Sequence, residues 1–332
     1  MATELAESPT LLRSIARRAA AGELREALMR ASVVVRARAT QLVLLTGMGS
    51  SYFAAHYGAC LLEAAGSASV AFDCGDLLAS HPVLRRQGGV RVVVSQSGRS
   101  AEILDLLDVW AGEGKKGATC LAVTNEPASP LGRTADILLE LRAGVEEATS
   151  SKTYFGTLAL VALLAGAVAE GEAAIPVALE AAADALGESV RAAPAPEALA
   201  LCAHIEAGRN LVFLGKGTGW CAAQQGALIA QEAAHAVASA ATYGQWRHGP
   251  SERASADVVL VAAPGDVGDP EVERTLAESA ERGAVIVRLP GVGLPAWRRA
   301  FDPVYPVYGA LLEMGRRSGR EIGRLANKVT GR

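Results

Sequence analysis

The sequence predicts an α/β protein of two consecutive units, each a parallel sheet flanked by helices in a three-layer sandwich. Short apolar strands alternate with helical stretches along most of the chain, the pattern of βαβ units whose strands are buried on both faces. One strand–turn–helix segment occurs twice, LVLLTGMGSSYFAA from Leu42 and LVFLGKGTGWCAA from Leu211. The length agrees, since 332 residues accommodate two domains of roughly 100–200 residues each.

Residues 1–40 precede the first strand, and LLRSIARRAAAGELREALMR within them reads as one or two helices packing on the sheet or at a subunit interface. Gln41–Leu45 reads as a buried strand that runs into the turn TGMGSS, and an alanine-rich helix follows to about Ala65. Val90–Val94 is the second strand; it ends in SQSGRS, and AEILDLLDVWA reads as the next helix. Thr119–Val123 and Ile137–Leu141 complete the first set of strands. The apolar stretch Tyr154–Ala169 follows the polar TSSK and reads as a buried helix. It falls short of the roughly 18–20 residues a membrane span requires.

Proline, alanine and glutamate accumulate between about Gly171 and Pro196, which places the seam there, although much of it has helical composition. Beyond it, Leu211–Leu214 leads into GKGTG and a long helix, Val258–Ala262 into Pro-Gly and another helical stretch, and Ala284–Val287 is the next strand. The expected organisation is a helical segment 1–40, a first domain 41–185, a second domain 195–325 and a tail 326–332.

Composition excludes several classes. Half of the residues are apolar and a fifth charged, with a formal net charge of -3, so no electrostatic footprint calls for nucleic acid. The five cysteines are scattered, without a C-x-x-C pair or zinc-like spacing, which fits a reducing cytoplasm. The N-terminal sequence carries no apolar signal core. No metal, organic cofactor or membrane is expected as a partner; a small molecule is.

Two turns have the chemistry to hold an anion. In GMGSS, residues 47–51, a glycine-bearing turn between strand and helix aims backbone N–H groups outward. The plainer alternative is an ordinary βα turn with serine caps. It is neither a dinucleotide fingerprint, since Tyr52 stands where the third glycine would fall, nor a P-loop. In SQSGRS, residues 95–100, three hydroxyls and an amide crowd one turn, enough donors to surround a phosphate without a metal. An N-cap cluster would account for one of those serines and poorly for all of them.

Two further residues have the chemistry to move protons. Glu232 is the one carboxylate between Glu206 and Glu252, on an alanine-rich helix where Gln225, Ile229 and Glu232 share a face. Partial removal from water would suit it as a general base. On composition alone the plainer reading, a solvated residue in contact with His235 three positions on, is preferred. His248 lies in GQWRHGP, a Gly/Pro-bounded loop of the kind that carries functional groups. His56, His81, His204 and His235 lack such a context.

Taken together, SQSGRSAE, GMGSSYFAA, the VTN after the third strand, AGVEEATSSKTYF, QQGALIAQEAA, QWRHGPSE and LANKVTGR resemble, in order, the motifs of the sugar-isomerase (SIS) family. That family includes the isomerase half of glucosamine-fructose-6-phosphate aminotransferase and related aminosugar-phosphate deaminases. The resemblance implies two tandem SIS domains of flavodoxin-like architecture. It implies that Ser50, Ser51, Ser95, Gln96, Ser97 and Ser100 hold a phosphate and that Ser150 contacts the sugar. Glu232 aligns with the family's catalytic glutamate, which moves a proton between C1 and C2 of the open-chain sugar. His248 aligns with a histidine that assists ring opening, reaching the neighbouring subunit's site in relatives, which implies a homodimer. Lys328 in the tail matches a lysine that closes over the substrate, although Asn327 occupies the aligned position.

The match departs where Gln225 and Ile229 replace the family's usual glutamate and lysine, the latter beside the catalytic carboxylate. No cysteine follows Met1, so release of ammonia from glutamine is not expected. The expected activity is therefore an aldose–ketose isomerase or aminosugar-phosphate deaminase acting on a hexose 6-phosphate. The alternatives are a deglycase for fructosamine-type phosphates with a wider pocket near Ile229, and a non-catalytic sugar-phosphate sensor.

Overall fold

A computed structural model of the protein describes residues 1–38, 41–86, 89–113, 117–169, 174–263 and 269–323. The chain forms two compact units. Residues 7–146 and 150–184 make the first; residues 1–6, 147–149 and those from Ala185 to Gly323 make the second.

Two helices lead in, α1 (Ala2–Ala20) and α2 (Glu23–Ala37). The first unit then runs β1 (Val43–Gly47), α3 (Ser50–Ala64), β2 (Ser69–Asp73), α4 (Cys74–Ser80), α5 (Pro82–Arg86), β3 (Val90–Val94), α6 (Ala101–Glu113), β4 (Thr119–Thr124), α7 (Pro130–Thr134), β5 (Ile137–Glu140) and α8 (Lys152–Val168). Its five strands are all parallel, in the order β2-β1-β3-β4-β5. Every residue of β1 and β3 is buried, as expected of central strands covered on both faces. Leu44, Val93 and Ala122 pack with Leu77, Ile103, Leu106 and Leu131 of α4, α6 and α7. On the other face lie α3 and α8, the latter apolar all round and almost wholly buried, as the uninterrupted run at 154–169 implies.

Next come α9 (Ala174–Arg191) and α10 (Pro196–Glu206), and the second unit continues with β6 (Asn210–Gly215), α11 (Thr218–Ala234), β7 (Ala238–Thr242), α12 (Tyr243–Arg247), β8 (Val258–Ala262), α13 (Pro270–Glu281), β9 (Val285–Arg288) and α14 (Tyr305–Ser318). Its parallel sheet has the order β7-β6-β8-β9, which repeats the first four positions of the other sheet. Val212, Leu214 and Leu260 pack with Tyr243, Trp246, Val272 and Leu276 of α12 and α13. α11 covers the opposite face and packs against α14. Among the described residues no helix is long and apolar enough to cross a membrane.

Candidate active site

In the first unit, β1 and β3 are neighbours whose crossover connections leave in opposite directions, the switch point of a 2-1-3-4-5 sheet. Ligands of open parallel sheets bind beyond the carboxyl ends of the strands at such a point. The loops that leave β1 and β3 are the two serine-bearing turns. They start from adjacent strand ends: a Cβ on Gly47 would lie 2.8 Å from the Val94 carbonyl oxygen. Ser50 and Ser51 open α3, half-buried. The N-cap of α3 is Gly49 at φ 51° and ψ -127°, with no side-chain cap, so the serine hydroxyls do not cap their own helix as the plainer reading had it.

The second turn is held from within and from both sides. Ser95 is buried and its Oγ accepts the Gly98 amide at 3.1 Å, while Ser97 Oγ accepts the Arg99 amide at 3.2 Å. Gln96 offers its carbonyl to the Asn125 amide at 3.0 Å and to Thr124 Oγ1 at 3.2 Å, so the loop after β4 braces the loop after β3. Ser100 directly precedes α6 and its carbonyl accepts the Leu104 amide at 3.0 Å. Ser95 therefore shapes the turn, whereas Gln96, Ser97 and Ser100 keep part of their surface in solvent. Next to Ser51 on α3, Tyr52 is held above the usual phenol range, by burial first and then by the Asp73 and Asp76 carboxylates, so it remains a neutral donor.

Ser150 is half-buried and its Oγ lies 3.2 Å from Thr153 Oγ1. A residue that sequence reading did not single out orders this segment. Glu146, only 6% exposed, accepts the Ser151 amide at 3.0 Å, Ser151 Oγ at 3.2 Å, the Thr153 amide at 3.1 Å and the Thr153 hydroxyl. A carboxylate gathering the first amides of α8 is favoured by their donors and by the helix dipole. A carboxylate five residues ahead of a Ser/Thr-rich helix start is the signal that could have found it.

In the second unit, α11 carries the face read from sequence. Gln225 and Ile229 are fully buried, Gln225 Nε2 donating to Tyr308 Oη at 3.3 Å, and Glu232 is half-buried in the last turn. Ile229 is thus a core residue with no surface open to solvent. Glu232 Oε2 accepts a hydrogen bond from the hydroxyl of Thr149, which is fully buried. His235 ends α11 in the left-handed conformation at φ 52°, exposed, its amide bonded to the Gln231 carbonyl.

His248 caps the C-terminus of α12 and is exposed. The residues of α12 before it are anchored. Thr242 and Gln245 form a capping box, Trp246 is fully buried with Nε1 donating to Ser279 Oγ at 2.9 Å, and Tyr243 Oη donates to the Ala263 carbonyl at 2.7 Å. Arg247 pairs with Glu271 at 2.7 Å, and Glu271 also accepts from Lys216. The imidazole is presented outward from a rigid base. Lys328, Asn327 and the tail 326–332 lie outside the described residues. Among the described residues no group of three or more His, Cys, Asp or Glu side chains could hold a metal ion.

Comparison with known proteins bears on the first unit most directly, because the SIS domain family matches residues 38–167. That match spans about two fifths of the chain. The matched stretch contains the loops at the β1/β3 switch point that carry the serines. The glutamine–fructose-6-phosphate aminotransferase (isomerizing) of Gluconobacter oxydans is 28% identical over 256 residues, which cover 74% of this chain and 41% of that protein. The relative named for the same activity in Aeropyrum pernix is 32% identical over 209 residues, 59% of this chain and 33% of that protein. The chain thus matches about two fifths or less of these curated relatives. The solved C-terminal domain of glucosamine-fructose-6-phosphate aminotransferase from Francisella tularensis shares the fold, with a TM-score of 0.75 at 20% identity, covering 97% of this chain and 96% of that one. Glucosamine-6-phosphate deaminase from Thermotoga maritima shares it too, with a TM-score of 0.74 at 20% identity over 99% and 98% of the two chains.

Proposed function

We propose that the protein is a cytoplasmic phosphosugar enzyme of two tandem SIS domains, 41–185 and 195–325, that isomerises or deaminates a hexose 6-phosphate. The observation that carries this reading is that two serine-bearing turns leave adjacent strand ends at the switch point of the first sheet. Ser50, Ser51, Gln96, Ser97 and Ser100 hold the phosphate, with Ser95 as the hydroxyl that shapes their loop. Ser150 contacts the sugar. Glu232 removes the proton from one of C1 and C2 of the open-chain sugar and returns it to the other, through an enediol. A single carboxylate with two oxygens suits a transfer between adjacent carbons. His248, outward on its fixed base, serves ring opening in the neighbouring subunit of a homodimer, and Lys328 closes the site. The relatives named as aminotransferases, isomerases and deaminases of sugar phosphates support the substrate class.

Proton NMR in deuterated water with fructose 6-phosphate, tagatose 6-phosphate and glucosamine 6-phosphate tests the proposal. Deuterium entering C1 or C2, and its loss in Glu232→Gln, is the expected result. Full exchange in that variant sinks the role of Glu232. No exchange with any sugar, alongside a ligand-dependent rise in unfolding temperature, replaces the enzyme by a sensor.

A further inference from the structure

Glu232 occupies the last turn of α11, where the negative end of the helix dipole faces it. An ionised side chain there is held in one orientation only if a donor meets it. That donor comes from a segment remote in sequence. Residues 147–149 belong by their contacts to the second unit, while Glu146 and Ser150 on either side belong to the first. Each amide of the three is engaged: Glu4 Oε1 accepts Glu147 N at 2.6 Å and Ala148 N at 3.3 Å, and the Gly323 carbonyl accepts Thr149 N at 2.8 Å. The backbone of Thr149 is therefore fixed, its side chain has no exposed surface, and its hydroxyl is committed to Glu232 Oε2.

We infer that Thr149 is a positioning residue for the catalytic base, fixing the Glu232 carboxylate by a hydrogen bond to Oε2 and thereby the direction in which Oε1 meets the substrate. The inference rests on the reading of Glu232 as that base. Thr149 also links the base to two neighbours of known place in the chain. Its amide is bound to Gly323, the residue from which 324–332 depart, and its carbonyl carbon is bonded to the nitrogen of Ser150, the proposed sugar contact.

The test uses the full-length protein labelled with carboxyl-13C glutamate, the Glu232 resonance being assigned by its disappearance in Glu232→Gln. Thr149→Val keeps the shape and removes the hydroxyl; Thr149→Ser keeps the hydroxyl. The Glu232 resonance is expected to move in Thr149→Val and to return in Thr149→Ser. On whichever of fructose 6-phosphate, tagatose 6-phosphate or glucosamine 6-phosphate exchanges deuterium, kcat should fall about tenfold in Thr149→Val, the scale of one hydrogen bond to a charged group, with KM changed less than about twofold. Thr149→Ser should recover most of that loss. Thr149→Ala replaces the valine variant if thermal unfolding shows that valine is not tolerated. A resonance and a kcat indifferent to Thr149→Val, in a protein that exchanges normally, overturn the inference. A wild-type protein inert toward all three sugars overturns its premise instead, and the two failures are told apart by the exchange assay.

Discussion

Replacing Gly98 by alanine should damage the SQSGRS turn through two separable effects. Gly98 has φ 58°, a conformation that costs an L side chain about 1–2 kcal/mol. The added Cβ would also lie 2.7 Å from Ser129 Cβ, closer still to its hydroxyl, and 3.3 Å from Leu131 Cβ. Ser129 cannot retreat freely. It is fully buried and is the N-cap of α7, its Oγ accepting the Gly132 amide at 3.1 Å. Displacing that cap costs about 1 kcal/mol more, so the total is about 2–3 kcal/mol. Gly66→Ala in the same unit is the reference. Gly66 has φ 84° at the end of α3 and nothing within 4 Å of its added Cβ, so it carries the conformational cost alone. Urea unfolding should place Gly98→Ala about 1 kcal/mol below Gly66→Ala. The stabilisation by fructose 6-phosphate should be lost in Gly98→Ala only, since the Gly98 amide also ties Ser95. Equal stabilities, or an undiminished ligand effect in Gly98→Ala, would refute the reasoning.

Glu146→Ala removes the acceptor of four donors in a buried site, and should cost about 3 kcal/mol in urea unfolding. Trp246→Phe loses the bond to Ser279; about 1 kcal/mol of stability should go with it, and exchange activity should fall further if the loop of His248 loosens. Burial alone would raise the Glu4 carboxyl, but the Glu147 and Ala148 amides, followed by the N-terminal ammonium, hold it below the usual 4.5. A carboxyl depressed in the folded state stabilises it above the ordinary range and ceases to do so as pH falls through the folded value. The stability gap between wild type and Glu4→Gln, read by urea unfolding, should therefore be full near neutral pH and close as pH falls below the ordinary carboxylate range.

The central strands were legible because burial on both faces demands an unbroken apolar run. Val90–Val94 and Val258–Ala262 appear at the residues the sequence predicts. The edge strands β2 and β7 were not, and the reason is physical. Each pairs on one side only and none of its residues is buried, so SVAFD and ASAAT carry no such run. The serine turns were equally legible, since glycine and hydroxyls between a strand and a helix form a local pattern. Thr149 was not, because its partner is 83 residues away and a single threonine leaves no periodic trace. Glu146 lay inside a recognised motif, but its role depends on the exact register of a shortened segment.

The two sheets also show how one turn geometry can be kept while its chemistry is not. Gly217 opens α11 at φ 55° and ψ -128°, nearly the values of Gly49 at the start of α3. A Cβ on Gly215 would strike Trp220 Cα at 2.7 Å, much as one on Gly47 would strike Ser51. The backbone of GKGTG thus repeats that of GMGSS. The side chains do not: Ser50 and Ser51 are replaced by Thr218, whose hydroxyl is spent on the Ala296 carbonyl at 2.7 Å, and by Gly219. The one cation of the second turn, Lys216, is engaged by Asp269 at 2.8 Å and Glu271 at 3.3 Å. An anion approaching there would meet two carboxylates and a hydroxyl already committed. The duplicated turn therefore supports the helix that carries Glu232, and the hydroxyls suited to a phosphate stay with the first.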